Sequence, residues 1–279
     1  MKQIVVSFSG GRTSARFCEL TKKLFPNAVY VFMDTGAEHP ETYEFVKKVN
    51  AEFDLNLVCL RAKINEKLGD GVGYRIVGID EICDDLQPWH DMAKKYGLPY
   101  HGGAFCTDRL KTQPCKKYLE SVYGAGNYEI LLGIRVDEPK RLKPKFGFRY
   151  LADFNDDEKQ DILDWWAKMP FDLQIKEHLG NCVFCIKKGV NKIALAAKDE
   201  PRLADKFIKM INMDDIRIVE SRTTPSNAMY RQNMSLEGII DLYDEMPRDK
   251  LAKTVRSTFE TGSCSESCEA FAEQMDLVL

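Results

Sequence analysis

Apolar positions near the start of the chain come in short blocks separated by turn residues. Ile4 to Phe8 is a β-branched apolar run that stops at Ser9-Gly10-Gly11, and from Ser14 to Leu24 the apolar spacing lengthens to that of a helix. The same order returns with a strand over Ala28 to Met33, its end at Asp34-Thr35-Gly36, and a helix from Pro40 to Asp54 with Glu41 in its first turn. Leu55 to Leu60 reads as a third strand and Glu129 to Ile134 as a later one. Such alternation predicts an α/β, Rossmann-like fold: a doubly wound parallel sheet with ligands at the carboxyl ends of its strands. After about residue 150 the strand signal fades, and helical spacing dominates Asp156 to Met169, Lys192 to Ile211 and Leu236 to Met246. The expected division is a nucleotide-binding domain over 1–178 and a mostly helical part over 179–279. No internal repeat or low-complexity linker sharpens that boundary.

Composition narrows the function. The 279 residues are 44% hydrophobic, enough to bury a substantial core, and the formal net charge of -3 argues against coating nucleic acid or anionic membrane through overall positive charge. Any nucleic-acid contact must then be local. The apolar run at the start is too short for a signal peptide, and no stretch approaches the roughly 20 apolar residues that span a bilayer, so a cytoplasmic protein is expected. Nine cysteines, an odd number grouped unevenly, suit metal or thiol chemistry better than a disulfide framework.

Ser9-Gly10-Gly11-Arg12-Thr13-Ser14 sits where a parallel sheet binds anions, because free backbone amides and the helix dipole point at whatever lies above the turn. Gly10 and Gly11 let backbone approach phosphate closely. Ser9, Thr13 and Ser14 add hydroxyls, Arg12 adds charge, and Ser7 on the preceding strand completes the set. The plainer alternative is a glycine turn capped by Ser or Thr.

The segment SFSGGRTS resembles the SGGxxS signature of PP-loop ATP pyrophosphatases, including the branch related to phosphoadenylylsulfate (PAPS) reductase. Further segments resemble that branch in order: VFMDTGAEHPETYEFVKKV with its DTG and P-E-T elements, FCTDRLKTQP with cysteine-R-K-x-x-P, and LLGIRVDEPKR with G-x-R-x-x-E-x-x-R. They span roughly residues 1 to 190. PAPS reductases of this branch usually lack an intact double-glycine loop, whereas members that cleave ATP keep it, as this chain does. The resemblance therefore implies attack by an acceptor oxygen on the α-phosphate of ATP, with Mg2+ neutralising the departing pyrophosphate. It places nucleotide contacts at Ser7, Ser9 to Ser14, Asp34, Thr35, Gly36, Gly133 and Arg135. Catalytic roles fall to Arg12, Ser14, Asp34 and Arg135. Asp34 reads equally well as the cap of its own turn. Asp137, Glu138 and Arg141 line the same crevice or are ordinary surface charge after a strand.

Cys182-Val183-Phe184-Cys185 is a C-x-x-C able to place two thiolates on one metal or cluster. Cluster-binding relatives add cysteines before the R-K-x-x-P segment, where this chain has Phe105-Cys106. The resemblance thus implies Cys106, Cys182 and Cys185 as ligands of a [4Fe-4S] cluster with an open iron, or a cluster-free trio of redox or persulfide thiols. Cys115 is a weak fourth ligand, since nine helical residues turn it about 180° away from Cys106. Cys115, Cys18, Cys59 and Cys83 read as small buried hydrophobes. Cys264 and Cys268 lie where PAPS reductases carry their nucleophilic cysteine, without its Glu-Cys-Gly context. They are candidates for persulfide relay.

Lys140 to Arg149, KRLKPKFGFR, combines five basic residues with two phenylalanines and no acid, which suits a phosphate backbone and stacked bases as well as a solvated loop. Arg217, Arg222 and Arg231 are candidates to extend that surface. The leading reading is ATP-dependent sulfur insertion into nucleic acid, as in tRNA thiolation or DNA phosphorothioation, with a cysteine desulfurase as sulfur donor. Reduction of PAPS or adenylylsulfate and a non-catalytic nucleotide-sensing partner are the alternatives. A homodimer is compatible with all three.

Overall fold

The computed structural model describes residues 2–67 and 69–257. Its first half alternates β1 (Gln3–Phe8), α1 (Arg12–Leu24), β2 (Val29–Met33), α2 (Pro40–Glu52), β3 (Val58–Ile64), β4 (Val72–Val77), α3 (Gln87–Tyr96), α4 (Gln113–Tyr123) and β5 (Tyr128–Leu132). β6 (Phe148–Tyr150) is followed by helices α5 (Lys159–Trp166), α6 (Val190–Asp199), α7 (Pro201–Ile211), α8 (Leu236–Leu242) and α9 (Arg248–Ser257). The six strands form one sheet in the order β4-β3-β2-β1-β5-β6. All neighbouring pairs are parallel except β3 with β4. The α/β class is therefore as expected, and an antiparallel edge strand is added to it.

Strand residues alternate between two buried faces. Val6, Phe8, Tyr30 and Phe32 pack with Phe17 of α1, Tyr43 and Val46 of α2 and Trp166 of α5. Val5, Val31, Met33 and Leu60 pack with Cys115, Tyr118 and Leu119 of α4. A third apolar cluster joins Trp89 and Met92 of α3 to Ile193, Phe207, Ile239 and Leu251 of the later helices, so apolar packing runs across residue 178.

Boundaries move for local reasons. The third strand starts at Val58 rather than Leu55, because Asp54 and Asn56 take positive φ of 48° and 50° and make Leu55 part of a turn. The long helix expected over Lys192 to Ile211 is two: Pro201 has no N–H for the helical ladder, and Glu200 leaves helical geometry at φ -128° and ψ 62°. The helix expected from Asp156 contracts to Lys159–Trp166, opened by a capping box of Glu158 and Asp161. Among the described residues no helix is long and apolar enough to cross a membrane.

Candidate functional site

The glycine turn links β1 to α1 at the carboxyl edge of the sheet, near its centre. Gly10 is required by packing as well as by its φ of +81°, since a Cβ there would lie 2.9 Å from Thr42 Cγ2 of α2. Gly11 is the N-cap of α1, and no side chain caps the helix, which leaves its first amides directed outward. The hydroxyls organise the turn itself. Ser14 Oγ lies 2.9 Å from Ser9 Oγ, accepts from Ser9 N at 3.2 Å and donates to Gly11 O at 3.0 Å. Ser7 lies just before the turn, in the sheet ladder between Val31 and Leu132.

Two distant segments complete this edge. A Cβ on Gly133, just past β5, would stand 2.9 Å from Ser14 Cα, so only glycine lets that strand end approach the start of α1. Arg135 then reaches across to donate from Nη1 to Thr13 Oγ1 at 3.1 Å. Its other nitrogens are held by Asp137, at 2.8 and 3.2 Å. Burial raises the Asp137 carboxyl, but the hydrogen bond and charge of Arg135 outweigh it and hold the group below the usual range. Arg141 is buried and pairs with Glu138 at 2.5 Å. Arg12 turns away from the amides above the turn: its guanidinium binds Asp172 at 2.7 and 2.9 Å and also meets Leu173 O.

Asp34 is fully buried, and its two oxygens are both engaged. Oδ1 accepts from Gly36 N at 2.9 Å and Tyr43 Oη at 3.1 Å, and Oδ2 takes Arg61 Nε at 2.5 Å. Burial lifts its carboxyl to about 6 against the pull of Arg61. Arg61 continues to Asp85 at 2.5 Å. Asp34 thus caps its own turn and anchors a buried arginine, with Gly36 at φ +73° closing the bend. The basic residues inside β3, Arg61 and Lys63, were the available signal for Arg61.

Next to this network lie the cysteines. Glu38, 3% exposed, accepts from Thr35 Oγ1 at 2.7 Å and Tyr43 Oη at 2.9 Å, and its Oε1 faces Lys111 Nζ at 3.5 Å and Cys182 Sγ at 3.9 Å. Burial raises the Cys106 thiol, with its neighbours Cys185 and Cys182 adding to the effect, so the three expected ligands lie near one another. Burial, then Glu38, pushes Cys182 up to about 12. Burial thus favours the protonated form at Cys106 and Cys182. Lys111 lies in the R-K-x-x-P segment. Burial disfavours its charge, but Glu38 and the neighbouring Cys182 and Cys185 hold its ammonium above the ordinary lysine range.

Side chains remote in sequence fix the C-x-x-C loop. Lys188 is 5% exposed and donates to the carbonyls of His178, Cys182 and Val183 at 2.9, 3.0 and 3.0 Å. Tyr230 Oη donates to Phe184 O at 3.0 Å, and Val183 N bonds Ala37 O at 3.0 Å. The donor chemistry suits a thiolate-held cluster, but its spacing does not: among the described residues no group of three or more His, Cys, Asp or Glu side chains is placed to hold a metal ion.

The remaining cysteines divide. Cys18, Cys59 and Cys115 are buried in the apolar clusters, as expected. Cys83 is exposed instead, with Arg61 Nη2 3.6 Å from its sulfur. Cys264 and Cys268 lie outside the described residues. Arg217 and Arg222 do not extend the Lys140–Arg149 segment: they fold back on the carbonyls of Lys95 in the last turn of α3 and Leu98 just past it.

Fold and turn together define an α/β protein with a glycine turn at the carboxyl edge of its sheet, and the chain belongs to one family with a phage nin region protein and begins with a segment that matches the PAPS reductase domain. Residues 3–74 match the phosphoadenosine phosphosulfate reductase domain. Over 280 residues the chain is 51% identical to the uncharacterized nin region protein ORF290 of Escherichia phage lambda, covering 98% of this chain and 96% of the phage protein. An uncharacterized protein of Methanocaldococcus jannaschii is 29% identical over 132 residues, 45% of this chain and 26% of its own length. A crystal structure of PAPS reductase from Candida auris in complex with phosphate aligns with a TM-score of 0.39 and 16% identity, over 60% of this chain and 73% of that one.

Proposed function

We propose that the chain is an ATP pyrophosphatase that adenylylates an acceptor for sulfur insertion, with nucleic acid as the acceptor. The observation that carries this reading is the glycine turn, where an uncapped helix start meets Arg135 across Thr13. The outward amides of α1 would take the β- and γ-phosphates, and Arg135 would offset charge as pyrophosphate departs. The acceptor oxygen bonds to the α-phosphorus while the α–β bridging bond breaks. A sulfur nucleophile then displaces AMP from the acceptor. Mg2+ would ride on the phosphates, since both oxygens of Asp34 are already engaged.

For sulfur handling we favour the pocket of Cys106, Cys182 and Cys185 acting as thiols, supplied by a cysteine desulfurase. A [4Fe-4S] cluster on the same three partly buried residues is the second reading, favoured by their lying near one another. When bound, it would supply an open iron for sulfide. Iron and sulfide analysis of anaerobically purified protein decides between them. Reduction of PAPS itself is supported by the domain match over residues 3–74 and opposed by the intact double glycine. Incubation with labelled ATP and with PAPS tests the reaction: pyrophosphate is expected, sulfite would show a reductase, and binding without product would show a sensor.

A further inference from the structure

We propose that Asp172 sets how tightly the glycine turn holds a polyphosphate, by competing with the phosphates for the guanidinium of Arg12. This rests on the turn binding nucleotide phosphate. Arg12 is the first residue of α1, so its side chain springs from the helix end whose amides would face the ligand. Its donors are engaged on the other side: Nε meets Asp172 Oδ1 at 2.7 Å, Nη2 meets Oδ2 at 2.9 Å, and Nη2 also donates to Leu173 O. A phosphate prefers the same two-donor fork that the carboxylate has taken. Both forks of a guanidinium pass through Nη2, whose hydrogens go to Asp172 and Leu173. A phosphate at the turn therefore gains a fork from Arg12 only by displacing Asp172.

Apolar packing decides which partner can move. The Phe171 ring lies 5.6 Å from that of Trp166 and 6.0 Å from that of Phe45, and Leu173 is buried in the same cluster. Leu173 N also donates to Asp172 Oδ1 at 2.7 Å, so the carboxylate is anchored from both sides. The Arg12 backbone is fixed as well, its carbonyl accepting from Trp166 Nε1 at 3.0 Å. What is left to move is the long Arg12 side chain. The pair is 27% and 31% exposed, so water reaches the carboxylate once the guanidinium swings away. An ion pair that wet is weak enough for a phosphate to break. AMP, without β- and γ-phosphates, offers Arg12 far less to turn to. Asp172 thus grades nucleotides by the phosphates they bring to the start of α1.

The test is isothermal titration of the full chain with α,β-methylene-ATP, whose α–β bridge resists cleavage, and with AMP, both in the presence of Mg2+. Asp172→Asn keeps an acceptor for Leu173 N and should tighten the analogue about fivefold, because Arg12 no longer has to be freed. AMP should bind as it does to wild type. Asp172→Ser should change both affinities in the same way. Arg12→Gln should weaken the analogue, and adding Asp172→Asn to it should bring no gain, since the gain runs through Arg12. Asp172 loses this role if both of its variants bind the analogue as wild type does, or if AMP gains equally. It also loses it if the gain persists without Arg12, which would reduce the effect to repulsion between carboxylate and phosphate. Wild type that binds neither the analogue nor inorganic triphosphate would overturn the phosphate-binding reading of the turn itself.

Discussion

The glycine turn and the cysteine pocket sit at the same edge of the sheet but are built in opposite ways. The turn is largely local: Ser9, Gly11 and Ser14 bond one another within six residues, while Gly133, Arg135 and Asp172 reach it from far along the chain. The pocket draws Glu38, Cys106, Lys111, Cys182 and Lys188 from three separate segments, and Glu38, Lys111, Cys182 and Lys188 already have partners within it. A site built from a few neighbouring residues keeps its shape through local bonds. A site assembled from buried, mutually bonded groups depends on the fold to exist at all.

The largest effect expected on this contrast comes from Arg61→Met, which strands the fully buried Asp34 carboxylate. Breaking a buried pair costs about 3–5 kcal/mol. Urea unfolding should show that loss, and an unchanged midpoint would mean the network beneath the pocket is dispensable.

Lys188→Met comes next, because it leaves carbonyls of the C-x-x-C loop without their donor at about 1–3 kcal/mol for an unsatisfied group. Maleimide labelling of Cys182 and Cys185 should accelerate while far-UV circular dichroism stays the same. Equal labelling rates would show that the loop holds its shape without Lys188.

On the other side of the comparison, Gly133→Ala drives a Cβ toward Ser14 Cα and should cost about 1–3 kcal/mol by overpacking. Pyrophosphate release should fall by more than stability does, since the displaced residues open α1. A variant with wild-type turnover would separate the strand end from the turn.

The smallest effect is a pH dependence at the rim of the pocket. Asp199 accepts from Arg248 at 2.7 and 2.8 Å and from Lys176 at 3.0 Å, with His178 Nε2 also 3.0 Å away. Arg248 first, then Lys176 against the cost of burial, holds its carboxyl well below the usual range. A depressed folded value means the stabilisation is complete above the unfolded value of about 3.9 and is lost as pH falls from there through the lower folded value. The stability gap between wild type and Asp199→Asn should be level from pH 7 to pH 5 and close in stronger acid. A gap that widened on acidification would reverse the assignment.

The sequence alone determined what neighbouring residues decide together. Alternating apolar blocks gave β1, β2 and β5, and a strand followed by Gly10-Gly11 and a hydroxyl-rich helix start located the turn. Both signals lie within a few residues of one another. Tertiary structure decided where charges and thiols point, because that depends on partners far along the chain. Arg12 read as a phosphate ligand, but Asp172 binds it, and Asp34 read as a nucleotide contact or as the cap of its own turn, where Gly36 and Arg61 hold it. Cys83 read as buried but faces solvent. β4 was not seen, since its pairing with β3 depends on a reversal that periodicity does not encode. Lys188 carried no signal beyond being a lysine after a C-x-x-C, and only packing reveals a buried ammonium whose charge is spread over three carbonyls.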